Sequence, residues 1–368
     1  RLSVKEDGNW RSFRHRNYRI LFPANAVSNI GSWAQRIAQD WLVLELTDNN
    51  GTYLGLVTAV QFAPVLLFSL HGGKLADRFN KRKVLILTNI VGGAASLGLG
   101  VLVITKHIEL WHVFALAAVL GISTAIDAPV RQAFTTEVVG QTDLPNAVSL
   151  NSANFNAGRL VGPAVSGGLI AAFGTGPSFI INGLSYFFVI TALLNLNEKA
   201  FFHQDRPKSD GNIREGLAYA KARPDIYVVM LMVFFLATFG LNFQIFNALM
   251  ATQAFALGPA SFGLMGTFIA IGSLTGALGS ARLERFRNTR FVILGGIAFS
   301  VSIMVLSVLP NYTSYVIWLP VCGVTALTTL VSANSIVQTS TDPAIRGRVL
   351  GLYLLIFMGG TPFGSPLF

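Results

Sequence analysis

Charged residues are scarce in this chain. Asp, Glu, Lys and Arg make up 12% of its 368 residues, whereas a soluble domain carries about 25%. Hydrophobic residues reach 52%, with 36 glycines and 28 phenylalanines. So few charges cannot cover a surface that faces water, which argues against a soluble enzyme and against a disordered protein. The composition is typical of a protein that crosses a membrane many times.

Cysteine is rarer still, since Cys322 is the only one. A single thiol forms no internal disulfide and no thiolate metal cluster. The sequence also holds no Walker-type phosphate loop, no His-Glu-x-x-His and no Gly-x-Ser-x-Gly. An ATP-driven pump is therefore unsupported. We expect no enzyme, and hence no catalytic residue, no metal site and no cofactor.

Long apolar runs fill most of the chain. A helix needs about 20 mostly apolar residues to cross the hydrocarbon core of a bilayer. The sequence predicts an all-α fold with eleven such spans, at 20–46, 53–73, 84–105, 110–130, 146–172, 177–196, 226–252, 259–281, 291–309, 314–338 and 349–368. The longest polar stretch, 197–225, predicts a linker with a short amphipathic helix near 213–222. It separates a bundle of six spans, 1–196, from a second bundle, 226–368.

The basic residues indicate the orientation. If alternate loops face opposite sides, 24 of the 27 Lys and Arg residues fall on one side, and only Lys106 falls on the other. The remaining two, Arg36 and Arg159, lie inside spans. Because cytoplasmic loops carry the excess of Lys and Arg, we expect the N-terminus in the cytoplasm. The net charge of +10 then follows from topology, and we expect no nucleic-acid partner.

The loop after the second span carries a first motif. Residues 73–83 read G-K-L-A-D-R-F-N-K-R-K. This resembles the G-x-L-a-D-r-x-G-r-k loop between the second and third helices of the major facilitator superfamily, with Asn80 in place of a glycine. Asn tolerates left-handed backbone angles, so the turn can persist.

The fifth span carries a second motif. Residues 158–168 read G-R-L-V-G-P-A-V-S-G-G, which is similar to the G-x-x-x-G-P-x-x-G-G motif of antiporters in that superfamily, with Ser166 replacing a glycine. The matching positions are Gly158, Gly162, Pro163, Gly167 and Gly168. Small residues four apart also let any two helices pack closely, so packing alone remains the alternative.

Further segments extend the resemblance over nearly the whole chain. D-A-P-V-R-Q at 127–132 and N-A-V-S-L-N-S at 146–152 resemble the branch with the enterobactin exporter and macrolide efflux proteins. The resemblance implies two six-helix bundles, so we expect one C-terminal helix to be missing, and it implies a monomer. It assigns gating positions to Gly73, Asp77, Arg78, Lys81, Asp127 and Arg131. In resembling proteins an acid at the position of Asp127 pairs with a base at the position of Lys81, so the resemblance implies that these two residues pair.

Polar residues inside the first span form a stripe. Asn25, Asn29, Ser32, Arg36 and Asp40 recur at helical spacing, so they share one face. A charge at bilayer depth costs at least ~2.5–3.5 kcal/mol, so this face should look into protein or a wet cavity. Arg36 and Asp40 are placed to pair. The alternative is a purely structural ion pair.

Arg159, near the centre of its span, is the strongest single functional candidate, because snorkelling to water is hardest there. It could hold a substrate anion or pair with Asp40, and a structural role is the alternative. In the second half, Asp, Glu, Lys and Arg are absent from 226–281 and from 291–341. That half offers weaker substrate contacts, together with Asn25 and Asn29 of the first span: Asn242, Gln244, Asn247, Asn334 and Gln338.

These features predict a secondary transporter in the bacterial cytoplasmic (inner) membrane, with a substrate site near the midplane between the two bundles. The expected activity is export of a small, partly apolar compound, of drug or siderophore type, by proton antiport. A lipid-moving transporter of the same fold and a non-transporting membrane sensor or enzyme are the alternatives.

The charge distribution makes the topology testable. Single cysteines at Asn50 and Ser209, in a Cys322→Ser background, should react with a membrane-impermeant thiol reagent from opposite sides. Asn50→Cys should label in intact cells, and Ser209→Cys only in inside-out vesicles. Lys106→Cys is the control and should label as Asn50→Cys does. Labelling of both test positions from outside alone would show that the orientation is wrong.

Overall fold

The computed structural model describes the backbone of residues 11–202, 213–282 and 288–342, and a few positions between 345 and 364. Within these helices the side chains of 69–78, 145, 149, 152, 213, 214, 281, 282 and 338 are not described. The described chain consists of helices joined by short turns.

Eleven α-helices are described. They are α1 (Arg16–Leu46), α2 (Gly51–Arg78), α3 (Lys81–Ile104), α4 (Leu110–Phe173), α5 (Gly176–Leu194), α6 (Ile213–Ala222), α7 (Pro224–Phe235), α8 (Phe243–Leu249), α9 (Pro259–Arg282), α10 (Thr289–Ser307) and α11 (Tyr312–Ser340). π-Helical turns, Leu236–Gly240 and Met250–Ala254, follow α7 and α8. They join both helices into one membrane span, Pro224–Ala254.

Helices lie at ten of the predicted spans, and the short helix predicted near 213–222 is present. Eight described helices are long and apolar enough to cross a membrane by length and composition alone. α1 is not among them, because its polar stripe lowers its hydropathy. The eleventh predicted span, 349–368, lies mostly outside the described residues.

The boundary between the fourth and fifth spans differs from the prediction. The sequence suggested a break over 131–145, but α4 continues through this region and bends only at Gly140, whose φ is +73° and ψ is 171°. The first arm extends to this point because Val130, Phe134 and Val138 repeat every four residues and are all buried. Gly140 therefore divides α4 into two arms.

Within each half, a glycine brings one pair of helices into backbone contact, and the two pairs hold equivalent positions in the two halves. A Cβ added at Gly121 of α4 would lie 2.3 Å from the carbonyl oxygen of Gln61 in α2. In the second half, a Cβ at Gly323 of α11 would lie 2.5 Å from the carbonyl oxygen of Ile269 in α9. Equivalent helix pairs therefore pack in the same way in both halves.

The two halves touch each other near the turns that follow α1 and α8. The Gln253 side-chain amide donates to the Asn49 carbonyl oxygen at 2.8 Å. The Trp41 ring stacks on Phe262 with centroids 6.0 Å apart. A buried apolar cluster with members from both halves surrounds this contact. The contact lies at the end of the bundle opposite the basic loops.

The bend at Gly140 should depend on glycine. Gly140→Ala should destabilise the fold by about 1–2 kcal/mol, because an L side chain disfavours a positive φ. The new Cβ would also lie 3.2 Å from the Phe202 ring. Thermal unfolding of purified protein in detergent measures the change. Gly98→Ala, on a helix with open space around the glycine, is the control, and equal melting points for the two variants would contradict this role.

Candidate functional site

Two arginines and three aromatic rings meet near the middle of helices α1, α2 and the second arm of α4. The Arg36 guanidinium carbon lies 4.6 Å from the ring centroid of Phe62 and 5.8 Å from that of Trp33. The Arg159 guanidinium carbon lies 5.8 Å from the same Trp33 ring, which Phe155 meets edge-on at 5.6 Å. Cations over aromatic faces are attracted by the negative potential of the ring. We call these five residues the arginine–tryptophan site.

The second arm of α4 brings Arg159 to this site through glycine packing. A Cβ at Gly158 would lie 3.0 Å from the Asn29 backbone, and one at Gly162 would lie 2.5 Å from the Trp33 side chain. Both glycines therefore let α4 rest directly on α1. Pro163 has no N–H, so the carbonyl four residues earlier, on Arg159, is released from its helical hydrogen bond.

The two guanidiniums lack an acidic partner in the described part of the chain. Neither Arg36 nor Arg159 is within 4.0 Å of a described carboxylate. The expected ion pair between Arg36 and Asp40 is therefore not formed within 4.0 Å, and neither is one between Arg159 and Asp40. The rings of Trp33 and Phe62 hold the side chains instead. The site thus presents two positive charges that an incoming anion could neutralise.

Asp40 is buried within α1 and forms no ion pair within 4.0 Å of a described basic group. Only 4% of the residue is exposed, and its Oδ2 atom has no hydrogen-bond partner. Its neighbour Gln39 is used structurally, since its amide donates to Gln61 at 3.0 Å. Burial of a carboxyl oxygen without a hydrogen bond disfavours the anion relative to the neutral acid. Asp40 can therefore bind and release a proton only when its surroundings change.

The polar stripe of α1 faces protein, as predicted, but most of its members hold helices together. Asn25 accepts a hydrogen bond from Arg131 at 2.8 Å, and Ser32 donates to Asn182 of α5 at 3.4 Å. Asn29 packs on Gly158. Asn25 therefore has a protein partner already, and its role as a substrate contact stays a prediction.

The antiporter-like motif contacts two different helices. While Gly158 and Gly162 face α1, Gly167 and Pro163 face α9. A Cβ at Gly167 would lie 3.1 Å from the Cα of Gly263, and one at Gly266 would lie 2.9 Å from Pro163. Gly168 has nothing within 4 Å of its Cβ position. The motif therefore sits at the boundary between the halves and packs helices closely, while its antiporter role stays a prediction.

Two of the predicted gating residues form one cluster. The Arg131 guanidinium donates to both carboxylate oxygens of Asp127, at 2.7 and 3.0 Å, and to Asn25. Thr88 of α3 donates to the same carboxylate at 2.8 Å. The cluster joins α1, α3 and α4 near the basic end of the first half.

Lys81 lies elsewhere. Its ammonium pairs with Glu137, so the expected pairing of Lys81 with Asp127 is wrong. Asp127 already has Arg131 as its partner, and Lys81 at the start of α3 meets the end of the first arm of α4. Gly73 lies within helix α2. The side chains of Asp77 and Arg78 lie outside the described residues.

The weaker candidates of the second half divide into two groups. Asn247 is buried and accepts from the Tyr315 hydroxyl at 3.0 Å. Asn242 is buried and donates to the Thr238 carbonyl at 2.8 Å. Both amides have protein partners, so neither is a free substrate contact. Gln244 and Asn334 are half-buried, and the Gln338 side chain lies outside the described residues.

The sequence of the chain matches a known protein family. The profile of the transmembrane secretion effector family matches residues 7–368. The chain belongs to this family of major facilitator transporters. It is therefore a multi-pass membrane transporter of small molecules and not an enzyme.

Similar proteins include exporters. The staphyloferrin A transporter of Staphylococcus aureus is 23% identical over 95% of this chain and 88% of its own length. The multidrug efflux pump Tap of Mycolicibacterium fortuitum is 25% identical over 94% and 86%. The enterobactin exporter EntS of Escherichia coli O1:K1 / APEC is 21% identical over 96% and 84%.

The fold is also that of solved transporters. A bacterial homologue of the human lysosomal transporter Spinster, in an inward-facing and unoccupied conformation, superposes with a TM-score of 0.77. It is 16% identical, and the match covers 99% of this chain and 82% of the other. The D-xylose–proton symporter superposes with a TM-score of 0.73 at 11% identity, over 95% of this chain and 89% of its own.

Sequence reasoning missed several residues of this transporter's site. Trp33 lies three residues before Arg36, and Phe155 four before Arg159, so each aromatic ring is one helical turn from an arginine. That spacing could have identified Trp33 and Phe155 as neighbours of the arginines from the sequence. Phe62 lies on another helix, so no sequence spacing relates it to Arg36. Glu137 was missed because its segment was predicted to be a loop.

Proposed function

We propose that this transporter exports a small, partly apolar compound bearing an anionic group, in exchange for protons. The observation that carries the proposal is the arginine–tryptophan site, where two guanidiniums share one indole ring and lack a described acidic partner. An arginine donates two parallel hydrogen bonds to a carboxylate or phosphate. The rings of Trp33, Phe62 and Phe155 offer an apolar surface beside these charges. Export is supported by relatives named as an enterobactin exporter and a multidrug efflux pump.

Proton coupling is assigned to Asp40. A guanidinium stays protonated at any accessible pH, so neither arginine can be the carrier. Asp40 lies one helical turn from Arg36 on α1, is buried, and has an oxygen without a hydrogen-bond partner. The positive charge of Arg36 favours release of the proton from Asp40 while the substrate site is empty. In the exchange that we propose, the proton therefore leaves to the cytoplasm before substrate binds.

The contacts between the halves support an inward-facing state. The described contacts of Gln253 with Asn49 and of Trp41 with Phe262 lie at the end opposite the basic loops, and we assign the basic end to the cytoplasm on the 24-to-1 loop distribution. The bacterial relatives support a place in the cytoplasmic membrane. In this orientation the arginine–tryptophan site receives substrate from the cytoplasm, and we take the working unit to be a monomer.

Removal of Arg159 tests the substrate assignment. Arg159→Ala should weaken export of an aromatic carboxylate about ten- to a hundredfold, because a hydrogen bond to a charged group contributes ~1.5–3 kcal/mol. Arg159→Lys should lie between, since it keeps the charge but loses the planar fork. Uptake of radiolabelled 1-naphthoate into inside-out vesicles measures the effect, with the cation ethidium as the comparison probe.

Arg290→Ala is the matched control, because it removes an arginine that is exposed at the start of α10. It should transport as the unmodified protein does. An Arg159→Ala protein that takes up naphthoate at the rate of this control would show that the arginine is only structural. Ethidium uptake in preference to naphthoate would contradict the anionic substrate.

Replacement of Asp40 tests the coupling. Asp40→Asn cannot release a proton, so a pH gradient should no longer drive accumulation of naphthoate, while exchange of labelled for unlabelled compound should persist. Accumulation and exchange are measured in the same vesicles between pH 6 and 8. Glu45→Gln, an exposed acid on the same helix that accepts from Trp41, is the control. Gradient-driven accumulation by Asp40→Asn would exclude Asp40 as the carrier.

A further inference from the structure

A cavity lies at the basic end of the first half, away from the arginine–tryptophan site. Its volume is about 460 Å³, and it lies between the start of α1 and the chain that follows α5. Its described lining includes Arg14, His15, Arg16 and Lys199 but no acidic residue. We call it the basal cavity. Three permanent cations therefore surround a space large enough for a small polar group.

Hydrogen bonds fix the walls of the basal cavity. Asn17 and Asn197 exchange two hydrogen bonds, each of 2.9 Å, which tie α1 to the chain after α5. The Phe202 N–H donates to the Glu137 carbonyl at 2.8 Å, and its ring lies against Gly140. The cavity is therefore a built feature of the fold, held at the bend of α4.

The acids near the basal cavity are already paired. His15 bonds to Asp143 at 2.8 Å, and Glu198 pairs with Arg82. Arg16 and Lys199, by contrast, have no carboxylate within 4.0 Å in the described chain. These two cations are exposed and are the ones available to an anion in the cavity.

We propose that the basal cavity binds the phosphate group of an anionic phospholipid. The cavity lies where the first span begins, which is the level of the lipid headgroups. Basic pockets at this level between membrane helices bind anionic headgroups. Phe201 and Phe202 also line it, and Phe202 is 43% exposed, so an apolar surface is offered beside the cations. A lipid supplies both a phosphate and an acyl chain, whereas a free phosphate supplies only the first.

Binding of phosphatidylglycerol tests the proposal. Purified protein in neutral detergent is titrated with phosphatidylglycerol or phosphatidylcholine, and bound lipid is counted by native mass spectrometry. The double variant Arg16→Gln/Lys199→Gln should bind phosphatidylglycerol about tenfold more weakly, because each basic residue contributes to attraction of an anionic headgroup. Arg19→Gln/Lys221→Gln removes the same charge from exposed positions outside the cavity and should bind as the unmodified protein does.

Ala200→Trp provides a test that leaves the charge unchanged, since Ala200 lines the cavity and a larger side chain would fill it. This variant should also lose phosphatidylglycerol, and it keeps the proposal testable if the double variant fails to fold. Equal binding by the cavity and control double variants would overturn the proposal, as would equal binding of phosphatidylcholine. Displacement of the lipid by millimolar glycerol 3-phosphate would support the phosphate chemistry but overturn the lipid as its source.

Discussion

Backbone contact along the second arm of α4 is the constraint on which the rest of the structure depends. Lipid gives helices no hydrophobic reason to associate, so close packing must hold them together. Gly158 and Gly162 bring this arm onto α1, and Gly167 with Pro163 brings it onto α9. One segment therefore joins the polar stripe of the first half to α9, whose stretch 259–281 carries no charged residue. Any side chain larger than hydrogen at these glycines would separate the helices.

The same packing explains how Arg159 is tolerated near the centre of a membrane span. A buried charge there costs several kcal/mol unless it is compensated. Trp33 lies against the guanidinium because Gly162 lets α4 approach it, and the aromatic face replaces part of the lost hydration. Arg36 is held on the other side by Phe62. Aromatic rings compensate only partly, so the site keeps positive charge that a complete ion pair would have cancelled.

Much of the fold could be predicted from the sequence because it depends on local properties. Span length, the spacing of polar residues on α1 and the small residues at 158–168 are all set within a single helix. The pairings were not predictable in this way. Lys81 meets Glu137 and not Asp127, and Asn247 is bonded to Tyr315, because these contacts depend on how separate helices are placed. The continuation of α4 through 131–139 was missed because this segment was predicted to be a loop, although Val130, Phe134 and Val138 keep a helical spacing.

The absence of charge from most of the second half has an electrical consequence. Between 226 and 281, and again between 291 and 341, no acidic or basic side chain occurs. Moving one elementary charge through a potential of 100 mV changes its energy by about 2.3 kcal/mol. A membrane potential therefore acts only on parts of the protein that carry charge. These parts of the second half can therefore move without sensing the voltage. Any dependence of transport on voltage would arise in the first half and in the compound it carries.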